Sequence, residues 1–131
     1  MEVGVGIHII ADFYGVDSEL IATTERMFPI IEGAVEYGRL TKISSDYYQF
    51  RPRGASGIVL LAESHLSFHT WPEYGLVTLD IYTCGDPKTA DDAFAYLVDK
   101  LRPTSISTRK IIRGDMIEEA GENQIEEAAF H

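Results

Sequence analysis

The segment Leu60–Gly75, with the sequence LLAESHLSFHTWPEYG, carries several reactive side chains where the apolar pattern otherwise predicts a buried strand. Glu63 and Ser64 interrupt the apolar run, and His69 and Glu73 follow a few residues later. Polar groups are costly inside a protein unless they are paired. Their number in this segment therefore indicates chemistry and not packing alone.

The peptide bond between Glu63 and Ser64 is a candidate site of self-cleavage. The Ser64 hydroxyl could add to the Glu63 carbonyl and convert the amide into an ester. This step needs a distorted peptide or a stabilised oxyanion, because the amide is the more stable form. Elimination from the ester would release Glu63 as a new C-terminus and leave dehydroalanine at position 64, which hydrolyses to a pyruvoyl group and ammonia. The resulting ketone is an electron sink made from the chain itself.

Two other kinds of site are less well supported. His65 and His69 lie four residues apart on one face of a predicted strand, but they supply only two ligands, and no cysteine or aspartate stands near them in sequence. We therefore expect no bound metal. Cys84 is the only cysteine, and no nucleophile elbow or oxyanion loop surrounds it. The sequence alone leaves open whether its thiol packs or reacts.

The N-terminal part of the chain predicts a strand followed by a helix. Residues 3–13 have the apolar pattern of a strand. After Asp17 the spacing changes to that of a helix, which Asp17 or Ser18 can cap and which Pro29 should kink or split. The predicted apolar stripe of this helix comprises Leu20, Thr24, Met27, Phe28, Ile31 and Val35.

Strands dominate the middle of the chain. Residues 39–50 and 56–63 predict a hairpin, because Pro52 and Gly54 between them favour a turn. Alternation continues through HLSFHTW, with Leu66 and Phe68 on one side and the two histidines and Ser67 on the other. A further strand is predicted at 76–84.

The second helix and the last strand complete the predicted fold. The helix begins near Thr89, whose hydroxyl forms a capping box with Asp92, and it ends at Pro103. TSISTRKIIRG is the final strand. The order β-α-β-β-β-α-β predicts an α+β two-layer sandwich with a mostly antiparallel sheet and two helices on one face. The helix residues predicted to be buried are Ala90, Ala93, Phe94, Leu97 and Leu101.

Composition limits the possible partners. The 131 residues suit one domain, and no apolar run approaches the roughly 18 residues of a membrane span. The formal charge of −10 argues against nucleic acid, although residues 114–131 hold six of the 21 acids and no base. We expect this acidic tail to be a solvated or short helical extension with no chemistry. The single cysteine excludes an intrachain disulfide and fits a reducing cytosol, so we expect a cytoplasmic protein with no membrane association.

A known family shares these motifs. AESHLSFHTWPEYG followed by YTCG resembles the prokaryotic S-adenosylmethionine decarboxylase proenzymes, and the likeness extends from HIIADFYG through GASG to IIRG. Members of that family are pyruvoyl enzymes that mature by self-cleavage. The resemblance implies cleavage into residues 1–63 and 64–131, with Ser64 becoming the pyruvoyl cofactor. It also implies that His69 assists processing and that Cys84 donates a proton during decarboxylation.

Further site residues follow from the same resemblance. Ser56 in GASG corresponds to a second active-site serine, and Glu73 in WPEYG to the acid that binds the ribose hydroxyls. Phe50 and Phe13 correspond to the aromatic residues on either side of adenine. The roles of Glu73 and Cys84 agree with the chemistry of their side chains. A carboxylate can accept hydrogen bonds from two hydroxyls. A thiol of ordinary pKa is mostly protonated at neutral pH and can donate its proton.

The predicted activity is decarboxylation of S-adenosylmethionine, which supplies the aminopropyl donor for spermidine synthesis. An alternative within the same family is arginine decarboxylation, because the pyruvoyl chemistry does not depend on what lies beyond the α-carbon. Glu73 and Phe50 favour a nucleoside. A non-catalytic homologue that regulates an active partner is disfavoured by the intact Ser64, His69 and Cys84. No lysine stands in a comparable arrangement, so pyridoxal phosphate is not expected.

The spacing of the two serines predicts a shared active site. Ser56 and Ser64 are eight residues apart along what the pattern indicates is one strand, a separation of roughly 26 Å. They could line one site only if the strand folded back, or if a two-fold homodimer brought Ser56 of one chain near Ser64 of the other. We do not expect a reversal, because no proline stands between the serines and the only glycine, Gly57, lies at the start. The resemblance supports this, because the larger eukaryotic relatives look like two such halves fused. We assign Ser64 and Cys84 to one protomer. The residues assigned to its partner are Ser56, His69, Glu73 and Phe50.

Overall fold

Six strands and two helices make up the part of the chain, residues 5–114, that the computed structural model describes. The strands are β1 (Gly6–Tyr14), β2 (Lys42–Gln49), β3 (Ala55–Leu61), β4 (Ser64–Trp71), β5 (Leu76–Thr83) and β6 (Ser105–Arg113). The helices are α1 (Thr24–Tyr37) and α2 (Pro87–Leu101), and a 3-10 turn covers Pro72–Tyr74. Apart from Gly114, the predicted acidic tail lies outside the described residues.

The strands form a single antiparallel sheet in the order β2-β3-β4-β5-β1-β6. The two helices pack on each other and on one face of the sheet, with α1 over β2 and β3 and α2 over β1 and β5. The predicted α+β two-layer sandwich is therefore confirmed. The predicted order lacks one strand, because four strands and not three lie between the helices.

The two faces of the sheet differ in composition. On β4 the buried side chains are Ser64, Leu66, Phe68 and Thr70, and they face the helices. The alternate residues His65, Ser67, His69 and Trp71 lie on the other face, which we call the open face. The predicted alternation of this segment is confirmed. No helix or strand among the described residues covers the open face.

The first helix begins later than the sequence predicts. Its N-cap is Thr23, whose hydroxyl accepts from the Arg26 amide, and not Asp17 or Ser18. Asp17 instead accepts from the amide of Glu19 within a preceding turn, which an aspartate favours as readily as a helix cap. The helix is continuous across Pro29, so of the two predicted outcomes, a kink or a split, the split is wrong. Phe28 of the predicted stripe is exposed, and the buried residues of the helix are Met27, Ile31, Ala34 and Val35.

The second helix also has a different cap from the predicted one. Asp86 accepts from the Lys88 amide at the N-terminus, and Pro87 occupies the first turn, where its missing N–H costs nothing. The Thr89 hydroxyl donates to the Asp86 carbonyl and takes no part in a capping box. The predicted buried face is confirmed for Ala90, Ala93, Leu97 and Leu101, while Phe94 is partly buried.

The segment from Ser56 to Ser64 is not one strand, which corrects the predicted separation of roughly 26 Å. The chain reverses at Ala62 and Glu63, and β3 pairs antiparallel with β4, with Leu61 opposite Ser64 and Ser56 opposite His69. The reversal has no proline, glycine or asparagine, because Glu63 itself adopts the positive φ that such turns need.

Among the described residues, neither helix is long and apolar enough to cross a bilayer.

Candidate active site

The turn between β3 and β4 presents the predicted cleavage bond. Glu63 has φ of 60°, a left-handed conformation in which a side chain is strained by roughly 1–2 kcal/mol. Its side chain is exposed, whereas the next residue, Ser64, is 8% exposed and begins β4. The bond predicted to break therefore joins a strained turn residue to a buried serine.

The Ser64 side chain lies on the helix side of the sheet, against the end of β5. Its hydroxyl donates to the Thr83 hydroxyl at 3.4 Å and accepts from the Cys84 amide at 3.4 Å. Thr83 is itself buried and accepts from the amide of Gly85. These contacts fix the serine beside the predicted proton donor. We call Glu63, Ser64, Thr83 and Cys84 the cleavage end.

A second group of predicted site residues lies at the other end of the β3–β4 hairpin. The Ser56 hydroxyl and His69 Nδ1 form a short hydrogen bond on the open face. Thr70, buried next to this pair, accepts from the Ala55 amide and donates to the Ile21 carbonyl, and so fixes the start of β3. The serine and histidine are thus held side by side on rigid strands.

Glu73 and Phe50 lie beside the Ser56–His69 pair. A cavity of about 240 Å³ is lined by these four residues together with Arg53, Thr70 and Trp71. Phe50 follows β2, and its amide donates to the Gly54 carbonyl across the turn. Glu73 lies in the 3-10 turn and is exposed. We call Phe50, Ser56, His69 and Glu73 the serine–histidine end.

The two ends are well separated within one chain. Ser56 pairs with His69, which is five residues from Ser64 along β4 and therefore roughly 17 Å away. The side chains of Ser64 and His69 also point to opposite faces of the sheet. A single chain brings Ser64 close to Cys84 and Ser56 close to His69, but it does not bring the two pairs together.

Phe13 does not lie with the other predicted site residues. Its side chain is fully buried on the helix side of the sheet and packs edge-to-face on Phe94, with ring centroids 5.6 Å apart. This position makes Phe13 part of the core, so the structure corrects its assignment beside adenine. The motif FYG that suggested the role does not reveal which face of β1 each residue occupies.

A polar cluster that the sequence did not reveal occupies the middle of the open face. Nε2 of His8 and Nε2 of His65 lie 2.6 Å and 2.8 Å from Asp80 Oδ2, and the Ser67 hydroxyl donates to Oδ1. Arg113 donates to His8 Nδ1 at 2.9 Å, so the His8 proton lies on Nε2 and is donated to the carboxylate. Burial alone would raise the pKa of Asp80. The hydrogen bonds from Ser67, His8 and His65 outweigh it and keep the pKa low.

This cluster also contains possible metal ligands. Atoms of His8, His65 and Asp80 lie within 4.8 Å of one another, whereas His69, the predicted partner of His65, bonds to Ser56 instead. Both histidine nitrogens that face Asp80 already lie within hydrogen-bond distance of it. We therefore describe the group as a hydrogen-bonded cluster. Alternation on β5 could have placed Asp80 on the open face, but only the strand register reveals its partners.

Comparisons of sequence and of structure with known proteins lead to the same family. A family model described as S-adenosylmethionine decarboxylase matches residues 7–114. The S-adenosylmethionine decarboxylase proenzyme of Thermoplasma acidophilum is 97% identical over 131 residues, which cover 100% of both chains. The crystal structure of the adenosylmethionine decarboxylase from Aquifex aeolicus is 53% identical, with a TM-score of 0.82 over 85% of this chain and 92% of that one.

A more distant structure shares the fold alone. The Trypanosoma brucei AdoMetDC-delta26 monomer is 14% identical, with a TM-score of 0.62 over 88% of this chain but only 51% of that chain. The family model and the closely similar proteins span nearly all of the described residues, including both ends of the hairpin. The chain belongs to the S-adenosylmethionine decarboxylase family.

Proposed function

We propose that this chain is a proenzyme that cleaves itself between Glu63 and Ser64 and then decarboxylates S-adenosylmethionine. The observation that carries the proposal is the position of Ser64, which is buried directly after a strained turn residue and lies 3.4 Å from the Cys84 amide. The names of the similar proteins support this substrate, and none of them favours arginine.

Cleavage would proceed through the two residues of the scissile bond. The Ser64 hydroxyl adds to the Glu63 carbonyl, the C–N bond breaks, and the acyl group moves to oxygen as an ester. Loss of the Ser64 α-proton then expels the Glu63 carboxylate and leaves dehydroalanine, which takes up water and releases ammonia. The ester link lengthens the connection between the Glu63 carbonyl and the Cα of Ser64 by one bond, since it runs through Oγ and Cβ and not through the amide nitrogen. Strain in the turn can therefore relax during the first step.

Substitution of Glu63 tests the contribution of this strain. Glu63→Gly should cleave about two- to fivefold more slowly than Glu63→Gln, because glycine accepts a positive φ without strain and both variants lack the carboxylate. In an uncleavable Ser64→Ala background, the glycine variant should have a free energy of unfolding about 0.5–1 kcal/mol higher than the glutamine variant, because the entropy that glycine loses on folding offsets part of the strain relieved. Gel analysis and urea unfolding give the two quantities. Higher stability with an unchanged cleavage rate would show that strain does not drive the reaction.

The mature site would combine the chain's own cofactor with side chains from both ends of the hairpin. The pyruvoyl group supplies an electron sink for the pair left behind when the α-carboxylate departs. Cys84, next to Ser64, would donate the proton that replaces carbon dioxide. Glu73 would accept hydrogen bonds from the ribose hydroxyls, and Phe50, which is 43% exposed, offers a ring face to adenine. His69, bonded to Ser56, would act in processing.

Cys84→Ala should lower the turnover of mature enzyme by about 10²–10⁴-fold, the usual range for loss of a general acid. The rate must be normalised to the fraction of chains that have matured, as measured by mass spectrometry, because the substitution lies next to Ser64 and could also slow cleavage. Cys84→Ser is the matched variant, since a hydroxyl of similar size is a weaker acid. Wild-type turnover in mature Cys84→Ala would require a different proton donor.

A homodimer would bring the two ends together. The open face exposes large apolar side chains around its polar cluster, among them Ile10, Ile58, Leu60 and Trp71, and exposed apolar side chains in this number mark an interaction site. A two-fold axis through this face would stack the two sheets and place the cleavage end of one protomer over the serine–histidine end of the other. Each dimer would then contain two equivalent sites.

A cytoplasmic location remains a prediction, which rests on the single cysteine thiol of the chain.

The decisive assay measures labelled carbon dioxide released from carboxyl-labelled S-adenosylmethionine, with carboxyl-labelled arginine as the parallel substrate. We expect release from the first only, by protein whose mass spectrum shows a fragment of residues 1–63 and a second fragment with a pyruvoyl N-terminus. Release from arginine alone would support the alternative substrate. No release from either substrate by fully cleaved protein would contradict the proposed function.

A further inference from the structure

Tyr82 lies next to the proposed proton donor and has no part in the function described so far. It is near the end of β5, with buried Thr83 between it and Cys84. Because side chains alternate along a strand, Tyr82 is on the open face, and Cys84 follows directly after the strand ends at Thr83. Both residues are partly buried. The phenol and the thiol therefore belong to residues only two positions apart at the end of β5.

Gly6 on the adjacent strand makes room for the tyrosine ring. Ile7 pairs with Thr83, so the register places Gly6 next to Cys84. A Cβ atom at Gly6 would lie 2.8 Å from Cε1 and 2.9 Å from Cζ of Tyr82, closer than such atoms can approach. The hydroxyl-bearing edge of the ring thus lies over the backbone of Gly6, beside Cys84.

The polar cluster of the open face holds this ring in place. The rings of His8 and His65 contact it with centroid separations of 5.4 Å and 5.9 Å, and the Arg113 guanidinium lies 5.7 Å from its centroid. Both histidines are hydrogen-bonded to Asp80, so their own orientations are fixed. Few positions of the Tyr82 hydroxyl are compatible with these contacts.

Electrostatics indicate which partner donates in the Tyr82–Cys84 pair. Interaction with the Cys84 side chain, together with a smaller effect of burial, raises the pKa of Tyr82, while Arg113 opposes this shift. The phenol therefore keeps its proton and can donate to sulfur. The other ionisable groups nearby are His8 and His65, which contact the ring, and Asp86, two residues beyond Cys84.

We propose that Tyr82 is a positioning residue for decarboxylation, whose hydroxyl orients the Cys84 thiol and stabilises the thiolate that forms when the thiol gives up its proton. The inference rests on the proposed role of Cys84. In the step concerned, the proton moves from sulfur to the substrate carbon that has lost carbon dioxide. The negative charge then resides on sulfur until a proton from water restores the thiol. A donor held beside the sulfur lowers the free energy of that charged state.

The kinetic test compares Tyr82→Phe with Tyr37→Phe, a matched change at an exposed tyrosine of α1. Tyr82→Phe keeps the ring and removes only the hydroxyl. We expect kcat of the matured fraction to fall about tenfold with KM unchanged, as expected for loss of a hydrogen bond to a charged group in the reacting state. Tyr37→Phe should match the wild type.

A second measurement needs neither cleavage nor activity. In the uncleavable Ser64→Ala chain, alkylation of Cys84 by iodoacetamide is followed across pH, with and without Tyr82→Phe. We expect removal of the hydroxyl to move the alkylation profile to higher pH by about one unit, because the thiolate loses its donor. A merely structural role of the ring would not move this profile.

The two measurements together separate the possible failures. A lower kcat together with a shifted alkylation profile supports the inference. An unshifted profile overturns it and leaves the role of Cys84 intact, since that role is tested by Cys84→Ala. A shifted profile with unchanged kcat also overturns it, and the role of Cys84 is again decided by Cys84→Ala.

Discussion

Ser64→Ala is expected to leave the protein as one uncleaved chain with no measurable decarboxylase activity. Alanine has no hydroxyl to add to the Glu63 carbonyl, so neither the ester nor the electron sink derived from it can form. The fold should persist, because Ser64 makes only two long hydrogen bonds, to Thr83 and from the Cys84 amide. Mass spectrometry of the purified chain and carbon dioxide release measure the two outcomes.

The matched control for this variant is Ser107→Ala, which removes an exposed hydroxyl from the edge strand β6. It should cleave and turn over at the wild-type rate. Thermal unfolding of both variants checks that the loss of activity does not come from a loss of structure. An active preparation made wholly of intact 131-residue chains would contradict the pyruvoyl mechanism.

Much of the fold follows from periodicity in the sequence. The alternation of Leu66 and Phe68 with His65 and His69 is strong enough to predict both faces of β4. The buried stripe of α2 is equally clear, since its alanines and leucines recur at helical spacing. Strand and helix types were therefore predictable even where their ends were not.

Where a helix or strand begins and ends depends on which of several nearby residues serves as the cap or turn, and the sequence does not resolve this choice. Thr23 and Asp17 are both good caps, and the chain uses the first for the helix and the second for a turn. The reversal at Glu63 is harder still, because a glutamate with positive φ gives no turn signal. That strained conformation is tolerated at the bond proposed to break.

The residues that make up the site were only partly predictable, because the sequence does not show which strands are neighbours. Family motifs identify Ser64 and His69, but partners across strands depend on register. Asp80, for example, meets His8 and His65 only because β5 lies between β1 and β4. Phe13 was misassigned because the motif does not specify which side of β1 faces the helices.

The separation of the two ends leads to the remaining large prediction. Although Ser56 and Ser64 do not lie on a single strand, the hairpin still leaves Ser64 roughly 17 Å from the Ser56–His69 pair. A substrate that must reach both groups cannot do so within one chain. If the dimer is correct, Cys84 and Glu73 of one protomer belong to different active sites.

Mixing two inactive variants should therefore restore activity. Cys84→Ala and Glu73→Ala each retain Glu63, Ser64 and His69, so both should mature, and each homodimer carries one lesion in every site. After the variants are unfolded together and refolded, half of the dimers should be heterodimers, each with one doubly altered site and one wild-type site. About a quarter of all sites would then be intact, and the mixture should regain about a quarter of wild-type activity.

The matched control mixes Cys84→Ala with Ser64→Ala, two lesions at the same end of the hairpin. Here every site of the heterodimer carries one lesion, so no activity should return, although the same refolding and exchange take place. Native mass spectrometry establishes that heterodimers are present in both mixtures. If the Cys84→Ala and Glu73→Ala mixture contains heterodimers and stays inactive, both residues serve one site from one chain. In that case the open faces of two protomers do not form a shared active site.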